Sequence, residues 1–265
     1  MPDPGDAWAA GASYETFMGR WSRLLAPLFV SWLPVRAGAH WLDVGCGTGA
    51  LSAAICLSAK PASVTACDPS ESFIRHAQQQ QVDPRIRFVV GGAVDLPTRP
   101  GGFGSVTSAL ALNFIPKPEA ALKRMRRAAC PGGSISACVW DYAGRMEFLR
   151  RFWDCASELD PSARSADEGV RFSICGRESL EQLFLGARLA DVVCEPLEIT
   201  TRFSNFADFW GPFLGGTGPA PSYVASLSAD RRAALATSLE RSLPVEQDGA
   251  VTLDARAWAV RGIAG

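Results

Sequence analysis

Between residues 40 and 138, short runs of mostly apolar residues alternate with stretches whose apolar positions recur every three or four residues. The runs 41–44, 63–67, 86–90, 103–110 and 134–140 predict strands, and 49–59, 70–80 and 119–130 predict the helices among them. The strands are apolar without clean alternation, as expected where helices cover both faces of a sheet. Pro131-Gly132-Gly133 closes the last helix, because proline cannot continue it and glycine tolerates the left-handed exit. Strand, helix, strand in this order predicts a parallel sheet with crossover helices.

Beyond Asp141 the regularity loosens. The spacing predicts a helix over 146–159, a loop over 161–175, and a short helix over 177–186 that leads into a strand near 190–200. An irregular stretch rich in aromatics, glycine and proline spans 205–221; a helix over 229–242 and an alternating strand over 251–260 follow. The segments 142–176 and 203–249 are too long for plain connections and read as insertions that cover a site. Before the sheet, 14–33 has helical spacing and is expected to pack across the same mouth. No internal repeat is visible. The resulting picture is one domain, 1–265: a cap over 1–35, a core over 36–141, the two insertions, and the rest of the sheet in 177–202 and 250–265.

Composition narrows the class. Of the 265 residues, 48% are hydrophobic and 20% charged, enough for a full core and against wholesale disorder. Twenty-six basic residues against 27 acidic give a net charge of −1, which offers no field for nucleic acid or an anionic membrane. The basic run Lys123-Arg124-Met125-Arg126-Arg127 falls on a helical pattern and reads as a solvated face. Met1-Pro2-Asp3-Pro4-Gly5-Asp6 is acidic and turn-prone, unlike a signal peptide. The nearest candidate for a membrane span, 24–33, is too short and carries Pro27. Eight single cysteines without a Cys-x-x-Cys pair read as free thiols, and no metal-ligating cluster is visible. Together these predict a cytoplasmic protein.

The chemistry concentrates in Leu42-Asp43-Val44-Gly45-Cys46-Gly47-Thr48-Gly49, which follows a strand and opens a helix. Glycines there let the chain reverse tightly, and amides at a helix start favour a carboxylate or phosphate. Asp68 ends the second strand nineteen residues beyond Gly49, where a nucleotide-binding α/β fold places a carboxylate for ribose hydroxyls.

Asp-Val-Gly-Cys-Gly-Thr-Gly resembles the Gly-x-Gly-x-Gly turn of class I S-adenosylmethionine-dependent methyltransferases and lacks the Gly-x-Gly-x-x-Gly spacing of NAD enzymes. Further matches follow in the family's order over about a hundred residues. They are Asp68-Pro69-Ser70, Gly91-Gly92-Ala93-Val94-Asp95-Leu96-Pro97, the stretch 103–114 and Pro131-Gly132-Gly133. Phe17-Met18-Gly19-Arg20-Trp21-Ser22 is similar to the cap of bacterial small-molecule methyltransferases. The resemblance implies an α/β, doubly wound, Rossmann-like seven-stranded sheet with its last two strands antiparallel at one edge. A helical lid would come from the N-terminal segment and the insertions.

For the cofactor, S-adenosyl-L-methionine, the resemblance implies that Gly45, Cys46 and Gly47 line its methionine part while Asp43 steadies the loop. Asp68 would bind the ribose, Pro69 or Ser70 would lie near the adenine, and Ala93 and Val94 would meet its edge. Ala109 and Leu110 would lie beside the sulfonium. Apart from the resemblance, Arg20 is a candidate for the carboxylate, its plainer reading being an exposed arginine on an amphipathic helix. Gly92 and Gly104 stand where the family often has acidic residues.

Methyl transfer is an in-line displacement that requires no covalent intermediate, and a base helps only when the acceptor must lose a proton. His40 lies at the far end of the first strand and His76 mid-helix, so both read as surface residues. Asp141 and Tyr142, after the fifth strand, and Asn113, after the fourth, are the catalytic candidates, because ligands sit at the carboxyl ends of strands. Their plainer readings are a cap for Asp141, packing for Tyr142 and a turn for Asn113. Phe17, Trp21, Trp140, Tyr142, Phe206, Phe209 and Trp210 are expected to form an apolar pocket at the mouth. For the trio Phe206, Phe209 and Trp210, core packing explains the spacing as well. The leading function is methylation of a small, partly apolar metabolite. The alternatives are a non-catalytic cofactor-binding protein, a macromolecule methyltransferase and an NAD-dependent oxidoreductase.

Overall fold

In the computed structural model, which describes residues 14–34, 36–215 and 218–265, the predicted strands assemble into one seven-stranded sheet of order β3-β2-β1-β4-β5-β7-β6. Its first half is β1 (His40–Val44), α2 (Ala50–Ser58), β2 (Ser63–Asp68), α3 (Glu71–Gln80) and β3 (Ile86–Val90). The front helix α1 (Arg20–Trp32) precedes it, entered through a π-helical turn at Glu15–Gly19. The second half is β4 (Phe103–Ala109), α4 (Pro118–Ala128) and β5 (Ala129–Trp140). All pairings among β1 to β5 are parallel, and Trp41, Leu42, Val44, Val64, Ala66 and Val106 are almost wholly covered, as the unbroken apolar runs require.

The chain winds outward from β1 to β3, then returns to start β4 on the other side of β1. The strand order therefore reverses between β1 and β4, which are paired Trp41 with Ser105 through Asp43 with Thr107. A crevice opens at the carboxyl ends of strands flanking such a reversal.

The remainder is α5 (Glu147–Leu159), α6 (Glu168–Arg171), α7 (Arg177–Gly186), β6 (Ala190–Phe203), α8 (Phe206–Trp210), α9 (Pro219–Ser226), α10 (Ala229–Ser242) and β7 (Val251–Ile263). β7 runs antiparallel to both neighbours, so β6 at the edge points the same way as β1 to β5. Covered and half-covered positions alternate strictly along 251–259, matching the period-2 reading. Both strands outrun their predicted lengths because each pairs with the other from Phe203–Val251 to Ala190–Ile263. Pro196 is tolerated on β6 because an edge strand has one side free of ladder bonds.

Three local expectations are corrected. Helix α4 ends at Ala128, two residues before the expected Cys130, because Ala129 already pairs with Phe103 in extended conformation. The expected loop 161–175 carries 3₁₀ turns at Pro161–Ser165 and Ser173–Cys175 around α6, started by the side chains of Asp160 and Asp167. The irregular stretch 205–221 contains α8, a 3₁₀ turn and the start of α9; the Asn205 side chain caps α8 by accepting from the Asp208 amide. Of the expected cap, residues 1–13 and 35 lie outside the described residues. All eight cysteines are free thiols. Among the described residues, no helix is long and apolar enough to cross a membrane.

Candidate active site

The crevice at the β1/β4 reversal deepens into a cavity of about 490 Å³. Its floor is the turn after β1. Gly45 has φ +73° and approaches the segment after β4 so closely that a Cβ would lie 2.5 Å from the Ala111 Cβ. Gly49, at φ +88°, is the N-cap of α2. Left-handed backbone at both positions is accessible to glycine at little steric cost. The Gly45 and Cys46 amides both donate to the Cys67 carbonyl, at 2.8 and 3.0 Å, which ties the turn to the end of β2.

Two carboxylates line the cavity. Asp68, 7% exposed, accepts from the amides of Gly47 (3.0 Å) and Ser70 (2.8 Å), one on each oxygen. Burial pushes its pKa up, and those two amides pull it back. Asp43 is fully covered; its Oδ2 accepts from Ser52 Oγ at 2.7 Å, while Oδ1 has no partner. Burial, with Asp68 nearby, raises Asp43 to about 7 despite the serine hydrogen bond. The thiols beside them, Cys46, Cys67 and Cys138, are pushed up by burial as well, so they remain protonated and unreactive near neutrality.

The far wall is carbon-rich. Leu25 and Ala26 of α1 and Leu110, Phe114 and Ile115 after β4 line it, with Phe73, Pro69, Ala93 and Val94 on the β2–β3 side. Leu110 sits at φ +58°, a conformation bulky side chains rarely adopt, and its amide donates to the Cys138 carbonyl at 2.8 Å. That kink lets the chain leave β4 and turn into the 3₁₀ segment Leu112–Phe114. The Tyr14 and Ser22 hydroxyls share a 2.8 Å hydrogen bond over the cavity, and Ser22 Oγ also donates to the Met18 carbonyl at 3.1 Å. Burial raises the Tyr14 phenol, which stays neutral.

Of the residues singled out for the cofactor, Asp43, Gly45, Cys46, Gly47, Asp68, Pro69, Ser70, Ala93, Val94, Ala109 and Leu110 line this one cavity. Arg20 does not: its Nη1 donates to Asp208 Oδ1 at 2.8 Å, and its guanidinium lies over the rings of Trp21 and Phe203, at 4.2 and 4.6 Å. The expected catalytic group is also elsewhere. Asp141 accepts from Arg256 Nε and Nη2, at 2.9 and 2.6 Å, and from the Arg145 amide, because the chain after β5 continues its ladder with β7. Tyr142 is buried against Phe172, and Asn113 lines a neighbouring cleft. His40 bonds Ser63 Oγ at the opposite end of β1.

None of the seven aromatics expected at the mouth lines the cavity. Phe17 and Trp21 instead pack with Phe148, Phe203 and Phe213 in a core of edge-on rings behind α1. Phe206 and Trp210, four residues apart, stack on each other. Tyr14, Ser22, Leu25 and Ala26 are the wall residues that the sequence reading missed, although it placed their segment across the mouth. Their signal was the helical register of the front segment, whose small and hydroxyl-bearing face meets the cavity.

The lining matches a sulfonium nucleoside in its donor chemistry. Asp68 keeps lone pairs for ribose hydroxyls, the unpartnered Asp43 Oδ1 suits an ammonium group, and amides at the start of α2 suit a carboxylate. Residues 42–137 match the family model described as a methyltransferase domain. This segment is a class I S-adenosylmethionine-dependent methyltransferase domain. The family's cofactor is S-adenosyl-L-methionine. The chain is 37% identical over 119 residues to a demethylmenaquinone methyltransferase of Clavibacter sepedonicus, a match covering 44% of this chain and 47% of that one. Against a ubiquinone/menaquinone biosynthesis C-methyltransferase of Cereibacter sphaeroides it is 32% identical over 117 residues, 43% of this chain and 47% of the other. The chain thus spans about half the length of the curated relatives it matches. A methyltransferase structure from an antibiotic biosynthesis pathway of Anabaena variabilis superposes with a TM-score of 0.62 at 18% identity, over 89% of this chain and 96% of that one. The fold is therefore shared well beyond the matched segment.

Proposed function

We propose that this protein transfers a methyl group from S-adenosyl-L-methionine to a small, partly apolar acceptor. The observation that carries the reading is the two-sided cavity. One side presents Asp43, Asp68 and the glycine turn, and the other continues as the carbon wall of Leu25, Ala26, Leu110, Phe114 and Ile115. Such a pairing suits a polar cofactor beside an apolar guest. The quinone-methylating names of the curated relatives agree with an apolar acceptor.

Bound there, the cofactor supplies an electrophilic methyl on a positively charged sulfonium. The chain's part is alignment and exclusion of water: holding two reactants in line removes about 7–11 kcal/mol of barrier. Tyr14 and Ser22 are the hydroxyls placed to orient an acceptor, and the phenol works as a neutral hydrogen-bonding group rather than a phenolate. With Asp141 and Tyr142 packed elsewhere, no role as base is assigned to them.

Titration calorimetry with S-adenosylmethionine, S-adenosylhomocysteine and NADH, beside an Asp68→Ala control, tests the reading. Micromolar binding of both sulfur ligands, lost in the variant, is expected, followed by methyl transfer in an acceptor screen. Preference for NADH, or no binding, would sink it. Binding without turnover on any acceptor would leave a cofactor-binding protein.

A further inference from the structure

The basic run Lys123-Arg124-Met125-Arg126-Arg127 does not lie on a flat helix face. Lys123, Arg126 and Arg127 line a cleft of about 610 Å³ between α4, the start of β5 and the turn after α7, and Arg188 of that turn joins them. Arg126 Nη1 donates to the Ala187 carbonyl at 3.5 Å, 61 residues along the chain, and so bridges the two elements. Ala264, bonded to the backbone of Gly132 and Gly133, closes the cleft from the side of β7. The cleft stands at the amino ends of β5 and β6, whereas the cofactor cavity opens at the carboxyl ends, and the two share no lining residue.

Two features separate it from an ordinary solvated face. The first is its charge. Four cations line it with no aspartate or glutamate side chain, and even a terminal carboxylate at Gly265 leaves it net positive. Among the described residues, none of the four has a carboxylate within ion-pair distance. A concave wall of one sign concentrates its field on whatever enters. The second is Arg188, which is exposed and sits at φ +59°. Left-handed backbone of this kind is open to glycine at little cost and strained for other residues. A helix dipole favours a cation at each carboxyl end, but it does not require cations from two helix ends to share one concavity.

We propose that this cleft binds a compact polyphosphate ester, a small organic molecule bearing a diphosphate or longer chain. A single phosphate ester carries a charge of about −1.5 to −2 near neutrality, fewer charges than the four cations offer. Arginine forks pair two-to-two with phosphate oxygens. The volume lies within the range of about 300–1,000 Å³ usual for small-molecule pockets, which leaves room for an organic body beside the phosphates. The chain's net charge of −1 confines the positive field to the cleft, whereas a nucleic acid strand needs it extended along a surface. With no residue in common, the site is independent of the methyl-transfer reading.

The test titrates the whole chain by calorimetry with inorganic phosphate, pyrophosphate, uridine and uridine diphosphate. The salt is held at about 0.15 M, where exposed charges more than about 8 Å apart are largely screened. Pyrophosphate should bind tenfold or more tightly than phosphate, uridine diphosphate at least as tightly as pyrophosphate, and uridine not at all. Affinity for uridine diphosphate should fall fivefold or more in Arg127→Gln and in Arg188→Gly. Arg188→Gly should melt no lower than the parent, since glycine relieves the left-handed backbone, so its loss of binding cannot come from misfolding. Arg124→Gln, in the same run but off the cleft, should bind as the parent does. Equal affinity for phosphate and pyrophosphate, no binding of either, or a loss in Arg124→Gln as large as in Arg188→Gly would each overturn the proposal. Tenfold tighter binding of an oligothymidylate or a polyglutamate peptide than of uridine diphosphate would overturn it too, in favour of a macromolecular surface.

Discussion

At Asp43 the cost of burying a carboxylate and the proposed cofactor contact pull in opposite directions. Its carboxyl is fully covered, half satisfied by Ser52, and raised to about 7. A carboxyl whose folded pKa lies above its unfolded value makes the folded state bind more protons, so stability falls as pH rises from about 4 to about 7 and then levels off. Asp43→Asn keeps the serine hydrogen bond and removes the charge. Its gain in urea-unfolding stability over the parent should grow from about 1.5 kcal/mol at pH 5 to about 4 kcal/mol at pH 8. Glu168, also raised to about 7 by burial, is present in both proteins and cancels in the difference. The same variant should bind S-adenosylmethionine more weakly at pH 8, because a neutral amide offers an ammonium no charge. A gain equal at the two pH values would show that a buried charge is not the cause. Gly45 gives a second, purely steric prediction. Gly45→Ala places a Cβ against Ala111 on left-handed backbone, which alone costs about 1–2 kcal/mol. S-adenosylhomocysteine affinity should drop tenfold or more by calorimetry, and parent-like affinity would show that the turn shifts freely.

At the scale of elements, what could be read from the sequence was whatever the backbone period dictates. The five parallel strands and their crossover helices announced themselves as apolar runs and helical spacings, and Ser70 capping α3 falls where the second helix was expected to start. That the glycine turn and Asp68 would share one cavity was equally legible, because glycine and aspartate at fixed offsets from strand ends can be placed by topology alone. The surroundings of the catalytic candidates were not. Asp141 lies at a strand's carboxyl end as expected, but its position says nothing about Arg256, 115 residues later, which claims its carboxylate. Aromatic residues from the insertions looked like a pocket because composition cannot tell a wall from a core. The contacts that decide it join segments far apart in sequence, such as Trp21 with Phe203 and Phe17 with Phe213. Phe148, 1% exposed, touches Phe17, Trp21, Phe203 and Phe213 and so links α1, α5 and β6. Phe148→Ala should therefore cost about 3–5 kcal/mol in denaturant unfolding. S-adenosylhomocysteine affinity at low temperature should remain within about threefold, because Phe148 lines no part of the cavity. A loss of binding without a loss of stability would place these rings at the site after all.

For the molecule as a whole, the question is which part closes over the cofactor. The sequence pattern suggested that the front segment and both insertions share this task, and the cavity lining divides them. Tyr14, Ser22, Leu25 and Ala26 reach the cavity, whereas α5, α8, α9 and α10 contribute no lining residue. The insertions pack against the back of α1 and brace it, with Arg20 and Asp208 joined across the seam by an ion pair that is about one-third exposed. Such a pair is worth less than about 1 kcal/mol, so the aromatic core behind it carries the bracing. Saturation at a hundred times the dissociation constant stabilises a folded protein by about 2.7 kcal/mol, which for a chain of this size is a rise of about 5–10 °C in melting temperature. S-adenosylhomocysteine should produce that rise in the parent and not in Asp68→Ala. Hydrogen exchange then locates where the stabilisation acts. Slowed exchange is expected at 14–26, 43–50 and 109–116, with 206–215 and 229–242 unchanged. Protection concentrated in the latter two segments would mean that the insertions, not the front helix, move onto the cofactor, and that the aromatic core opens to let them do so.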